Sequence, residues 1–319
     1  MRRESLQTDG QEASSKRETR NCSDVIFEYA LEPTLLDNWK DIRYFKDQCG
    51  AEKGRLISEY PYKWWRAVFE AIRLSSSLPV EKHKMKEALR NIVKYKLFRR
   101  QGILWDDRLP WLDNARAEHK RVNFHAIISK NCGGDDESNC ILMGEHVNDS
   151  KLLWKCSQSV TIERNAAKMA TEVAPVLELS THIIFIDPYF DPRKRRFRNP
   201  LIEFLKVLSM RKNGVPLQRL EYHVSDEEEE TEFKSWLDTY LRPQLPPGLT
   251  VAFCRWNKGD MHNRFILTNI GLLQFGIGLD EYIGGGAPRE DQLNRLSDVD
   301  HSKLWAKYST GTVFHSVSA

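Results

Sequence analysis

The chain has 319 residues, more than one small core requires, so two domains are expected. Its 40% hydrophobic and 29% charged residues are the balance of a soluble globular protein, which sets aside disordered and fibrous classes. No apolar run approaches the roughly 20 residues that span a bilayer, and a net charge of +3 is too small to name a partner.

In chain order, Met1–Ser23 is polar and charged, lacks the apolar segment of a secretory signal and reads as a disordered tail. The six cysteines, Cys22, Cys49, Cys132, Cys140, Cys156 and Cys254, form no C-x-x-C pair. A zinc ribbon or redox pair is therefore not indicated, and a reducing cytoplasm is the expected compartment. Asp24–Phe45 mixes aromatic and aliphatic residues, and Gly50–Gly54 marks a turn. Helical spacing of Trp65, Val68, Phe69 and Ile72 predicts a helix over Tyr62–Leu74. Met85, Leu89, Ile92, Val93 and Leu97 predict a second over Val80–Arg100, covered elsewhere by lysine and arginine. Trp64, Trp65, Trp105 and Trp111 are read as core or interface anchors, because each ring buries a large apolar area.

A strand is expected over Arg121–Ser129, a polar loop over Asn131–Asn139 and a returning strand over Cys140–Gly144. A helix over Thr161–Leu179 follows, kinked at Pro175. Then the pattern changes. The apolar run His182–Ile186 ends in Asp187-Pro188-Tyr189-Phe190-Asp191-Pro192, as buried parallel strands do where they feed a loop. Helices over Leu201–Leu208 and Glu232–Leu241 alternate with strands over Leu220–Val224, Leu249–Arg255 and Phe265–Thr268. Such alternation predicts an α/β layered domain. The expected division is a tail over 1–23, a smaller, largely helical α+β N-terminal domain over 24–150 and the α/β domain over 151–319. Asp291–Tyr308 reads as a closing helix.

The chemistry concentrates in Met261-His262-Asn263-Arg264-Phe265-Ile266-Leu267-Thr268-Asn269, followed by Gly276-Ile277-Gly278-Leu279-Asp280. Residues two apart on a strand share a face, so His262 and Arg264 are expected to converge on one anionic group. Gly276 and Gly278 would admit a phosphate close to the backbone. The basic run Arg193, Lys194, Arg195 and Arg196 follows the Asp187–Phe190 strand end, where α/β sheets border their ligand crevice. It reads equally as a phosphate contact or a solvated loop. Asp187 and Asp191 either orient the histidine or cap the turn. Asp226–Glu230 suits a helix N-terminus better than a metal site, and Gly284–Gly286 lacks the Lys-Ser/Thr of a P-loop.

This segment resembles the phospholipase D-like (HKD) superfamily signature H-x-K-x-x-x-x-D followed by a small-residue stretch. His262 stands at its histidine, Arg264 at its lysine, Asn269 at its aspartate and Gly276 at the start of the stretch. Asn at the last position is similar to the tyrosyl-DNA phosphodiesterase branch; Arg for Lys keeps the charge but changes its geometry. The strand ending in Asp-Pro-Tyr-Phe is similar to single-motif relatives associated with bacterial defence. The resemblance covers roughly residues 160–319. It implies a metal-independent phosphodiesterase, most simply a nuclease, in which His262 forms a phosphohistidine while Arg264 and Asn269 stabilise developing charge. Asp187, Tyr189, Arg193, Lys194, Arg195, Arg196, Gly276 and Gly278 would bind substrate, with no metal and no cofactor. One motif per chain implies a homodimer supplying a second His262. Nucleic acid is the expected substrate, defence proteins are the expected partners, and no membrane is expected. The competing reading is a scaffold or effector module that binds phosphate or nucleic acid but has lost turnover through Arg264.

Overall fold

The computed structural model describes residues 25–130, 132–211 and 216–319, so the expected tail over 1–23 and Asn131 lie outside the described residues. The N-terminal part contains β1 (Phe27–Leu31), α1 (Trp39–Gln48), β2 (Arg55–Ser58), α2 (Trp64–Leu74), α3 (Pro79–Tyr95), β3 (Leu97–Phe98), α4 (Trp111–Arg121), β4 (Ala126–Ser129) and β5 (Ile141–Met143). The strands form one sheet in the order β3-β2-β1-β4-β5, with every pairing parallel. This corrects two expectations. The N-terminal part is an α/β layer rather than a largely helical α+β region, and β5 joins β4 in parallel instead of returning along it.

The strands are buried on both faces, as crossover connections require. Ile42 and Phe45 of α1 and Met85, Leu89 and Ile92 of α3 cover one face; Ala115 of α4 lies in the cluster on the other. Buried strands carry few charges unless these are paired, and Glu28 in β1 is such a case. Arg100 holds it at 2.7 Å, takes Glu118 of α4 at 3.0 Å with its other arm, and is itself wholly buried. Arg121, expected to open a strand, ends α4 and pairs with Glu118 at 2.6 Å.

The C-terminal part contains β6 (Ser159–Glu163), α5 (Ala166–Leu179), β7 (His182–Ile186), α6 (Arg195–Ser209), β8 (Arg219–Ser225), α7 (Glu230–Trp236), β9 (Thr250–Trp256), β10 (Arg264–Thr268), β11 (Leu272–Phe275), β12 (Glu290–Arg295), α8 (Asp298–Tyr308) and β13 (Val313–Ser318). Its sheet runs β13-β9-β8-β7-β10-β11-β12-β6. Strands β7, β8 and β9 are mutually parallel, and the remaining pairs are antiparallel. Chain and sheet change together between Met143 and Ser159. α5 and α6 bury one face of the sheet, while Tyr308 of α8 joins Met261, Ile184 and Ile186 on the other. The chain is therefore mixed α/β, with one parallel and one mixed sheet.

Three expected helices each hide a strand: that over Val80–Arg100 ends at Tyr95 and its Leu97 belongs to β3, and the other two lie in the C-terminal part. Thr161 belongs to β6, whose alternating exposed and buried residues pair with β12, and α5 starts only where Asn165 caps the amides of Ala167 and Lys168. Asp291–Arg295 is strand, and α8 begins after Ser297 caps the Asp300 amide. The basic run also moves. Lys194 is the N-cap of α6, and Arg195 and Arg196 lie in its first turn rather than in a loop. Pro175 sits inside α5. Arg295 links the two sheets, donating to the carbonyls of Glu52 (3.0 Å), Ser157 (2.9 Å) and Val25. Among the described residues, no helix is long and apolar enough to cross a membrane.

Candidate functional site

β7 and β10 run antiparallel with Ile186 opposite Phe265, which brings Asp187 beside Arg264 at the end of the pair. Both side chains fall on the α5–α6 face, because Phe185 and Ile266 of the same strand parity pack there. A cleft of about 550 Å³ opens at this point. Its guanidinium groups come from Arg164 after β6, Arg196 of α6, Arg264 of β10 and Arg289 before β12. Asp187, Asp280 and Glu281 supply the acidic groups, and Tyr189, Tyr282 and Gly278 complete its working wall.

These charges are not equally free. Arg164 is buried and held by Asp280 at 2.6 Å, and Arg196 shares the same carboxylate at 3.6 Å. Glu281 accepts from Asn199 at 2.5 Å and from the Ala166 amide at 3.2 Å. Arg264 and Arg289 have no carboxylate in ion-pair range among the described residues. Their guanidinium groups lie over the rings of Tyr189 at 4.6 Å and Tyr282 at 4.5 Å. Such stacking orients a cation without neutralising it. Arg264 Nε is also buried without a hydrogen-bond partner.

Asp187 is the anomalous acid of the site. Its Oδ1 accepts the Tyr189 amide at 3.0 Å, while its buried Oδ2 has no partner. Burial pushes its pKa up to about 6, against the pull of the Tyr189 amide and the Arg264 guanidinium. Asp187 therefore keeps its proton to higher pH than an ordinary aspartate.

The other expected residues are placed as follows. His262 is exposed, precedes β10 by a bend at Asn263 and is not among the residues lining the cleft. The strand alternation that would align it with Arg264 begins only at Arg264 itself. Asn269 lies at the opposite end of β10, five residues or about 17 Å of strand from Arg264. There its Oδ1 accepts the Thr181 and His182 amides at 2.8 and 3.0 Å, so it braces the α5–β7 turn and does not touch the cleft. Gly276 and Gly278 are required, but by internal carboxylates. A Cβ at either position would meet Asp291 Oδ1 at 2.8 Å or Asp280 Oδ1 at 2.5 Å. The Ile277 and Gly278 amides already donate to Asp291. In the basic run, burial works against the Asp191 carboxylate, yet Arg193 (2.9 Å) and Lys194 (3.0 Å) hold its pKa below the usual range. Arg193 also packs on Trp236, Arg195 is exposed, and only Arg196 lines the cleft. Arg164 and Arg289 were not singled out in the sequence, because they lie 125 residues apart in two different connections.

A second cluster, Glu221, His223 and Cys254, is buried on the opposite face of the sheet and has the residue types of a metal site. Its hydrogen bonds argue otherwise. Trp256 Nε1, which can only donate, points at His223 Nδ1 at 2.8 Å, so the ring proton lies on Nε2 and faces Glu221 at 2.8 Å. A metal on Nε2 would move that proton onto Nδ1, against the Trp256 N–H. Burial pushes the Cys254 thiol up to about 12, and Arg219 already pairs with Glu221 at 2.6 Å. The cluster is a satisfied polar network of the core.

No family model and no curated protein matches the chain. Among solved structures it is similar to TrmBL2, an archaeal chromatin protein described as showing a novel mode of DNA binding, at 8% identity and a TM-score of 0.27. That alignment covers 86% of this chain and 98% of the other. A likeness this low carries no argument about fold or function.

Proposed function

We propose that the arginine-lined cleft binds a phosphodiester and that the chain is a metal-independent phosphodiesterase of phospholipase D-like type. The observation that carries the reading is Arg264, stacked on Tyr189 with no ion-pair partner and an unsatisfied buried Nε, in a cleft with three further guanidinium groups. Arg264 is half-buried with no carboxylate in ion-pair range, and a phosphate supplies both the charge and a planar pair of acceptors. The start of α6 supports the same reading. Arg196, in the first turn of that helix, lines the cleft, and an anion there would meet both its guanidinium and the positive end of the helix.

In the proposed reaction an imidazole nitrogen of His262 attacks phosphorus and forms an N–P bond as the ester P–O bond breaks. The leaving oxygen takes a proton from a second His262, contributed by another copy of the chain. Water then cleaves the N–P bond and regenerates the imidazole. Arg264 would stabilise the phosphoryl oxygens throughout. Asn269, remote from the cleft, has only a bracing part. Nucleic acid is the phosphodiester proposed as substrate.

The competing reading, a module that binds phosphate without turnover, is favoured by one observation: His262 does not line the cleft. Cleavage of labelled DNA and RNA in excess EDTA separates the two, with His262→Ala and Arg264→Ala beside the native chain. Chelator-resistant cleavage lost in both variants supports the enzyme. Salt-sensitive binding lost only in Arg264→Ala, with no cleavage by any protein, supports the module. Cleavage indifferent to both substitutions overturns both.

A further inference from the structure

The α2–α3 hairpin lies in the other sheet's domain and has no part in the cleft. Residues 62–95 carry eight lysines and arginines against three glutamates, a net charge of +5. The whole chain carries +3, so everything outside this hairpin is net −2. Two of the three glutamates are already matched within the hairpin, Glu70 by Arg73 and Glu87 by Arg90. Lys63, Arg66, Lys84, Lys86 and Lys94 have no carboxylate partner among the described residues.

The same surface exposes aromatic rings. Trp64 turns inward and is wholly buried, with its indole N–H on the Leu31 carbonyl at 2.7 Å. Trp65, its neighbour, turns outward and is 37% exposed; Phe69 is 41% and Tyr62 62% exposed. Trp65 and Phe69 are one helical turn apart, about 6 Å along α2 and on one face. Each of the three rings has a cation close to its face: Lys63 on Tyr62 (5.0 Å), Arg66 on Trp65 (5.2 Å) and Lys86 of α3 on Phe69 (5.0 Å). Of these two expected core or interface anchors, Trp64 is thus the core anchor and Trp65 lies at the surface.

We infer that this face of the α2–α3 hairpin binds single-stranded nucleic acid, with bases stacked on Tyr62, Trp65 and Phe69 and phosphates on the interleaved lysines and arginine. Charge complementarity selects a polyanion, and the exposed rings select one whose flat apolar faces are free. A duplex offers phosphates to the lysines but keeps its base faces stacked, which leaves the three rings without partners. The site is independent of the cleft and stands whether or not the cleft hydrolyses anything.

The test is fluorescence anisotropy of a labelled 20-nucleotide oligothymidylate with the full chain, titrated with salt in EDTA. The variants compared are Trp65→Ala, Trp65→Phe, Trp65→Ala/Phe69→Ala, Lys86→Glu and the double aromatic substitution in an Arg264→Ala background. Unlabelled duplex, polyglutamate and anionic phosphatidylserine vesicles serve as competitors. The double aromatic variant is expected to lose at least tenfold in affinity, since stacking contributes about 1–3 kcal/mol per base. Lys86→Glu should weaken binding and flatten the salt dependence. In an Arg264→Ala background, which removes whatever the cleft contributes, the double aromatic substitution should cost the same factor, which separates this surface from the cleft. Trp65→Phe should restore most of what an alanine at that position loses, and thermal unfolding checks that each variant is folded at the assay temperature. Binding unchanged by the aromatic substitutions, equal affinity for duplex, or displacement by polyglutamate or vesicles at lower concentrations than by the unlabelled oligonucleotide overturns the inference.

Discussion

Asp187→Asn offers the sharpest test of how the cleft is built. The native carboxyl is buried with Oδ2 unpartnered, and its pKa rises from an ordinary 3.8 to about 6. The folded chain therefore keeps this proton up to about pH 6, whereas the unfolded chain releases it near pH 4. Between those values the native state binds more protons, so the contribution to stability is full below pH 4 and is lost as pH rises through 6. A shift of about two units, at about 1.4 kcal/mol each, amounts to roughly 3 kcal/mol. Asparagine has nearly the same shape, still accepts the Tyr189 amide and does not titrate. Denaturant unfolding of native and variant chains from pH 3.5 to 7.5 measures the difference directly. Native minus variant stability should fall by about 3 kcal/mol across pH 4–6 and then level off. A phosphate analogue in the cleft should also bind the native chain more tightly at pH 5 than at pH 7, because the charged Asp187 repels it. A stability difference that is flat over this range, or that rises with pH, would refute the assignment of Asp187 as a desolvated acid.

Other substitutions probe the frame. Arg100→Ala strands Glu28 and Glu118 in the core of the parallel sheet and should cost about 3–5 kcal/mol in urea unfolding. Asn269→Ala removes the acceptor for two backbone amides, so it should lower stability by about 1–2 kcal/mol while phosphate affinity stays within twofold. A large loss of phosphate affinity would instead return Asn269 to the binding machinery. Excess EDTA or added zinc should leave the thermal midpoint unchanged, because both ring nitrogens of His223 are engaged. A fall in midpoint on chelation would identify a metal at the Glu221–His223–Cys254 cluster.

Local chemistry made much of the C-terminal part legible. His182–Ile186 is an unbroken apolar run and forms β7; Leu220–Val224, Leu249–Arg255 and Phe265–Thr268 each match a strand to within one residue or two. The amphipathic pattern of Trp65–Ile72 likewise marks α2. That Asp187, Tyr189 and Arg264 share one site was implied only by the resemblance; they meet because β7 pairs with β10. The same reasoning failed at His262, because the alternation is interrupted by a bend that no residue pattern announces.

What the sequence determined by itself, then, was where apolar runs and helical stripes lie. The tertiary structure decided the rest, for two physical reasons. Short strands such as β6 and β12 have no stability alone and exist because they pair with each other across 130 residues of chain, so a window of sequence reads them as parts of the helices that follow. β1 carries a glutamate in its interior, and that charge is tolerable only because Arg100 arrives from 72 residues away. The cleft has the same origin: Arg164 and Asp280 meet across 116 residues, and Arg264 gains its environment from a tyrosine on another strand end. Electrostatic sites are assembled by distance in space, and spacing along the chain does not encode it.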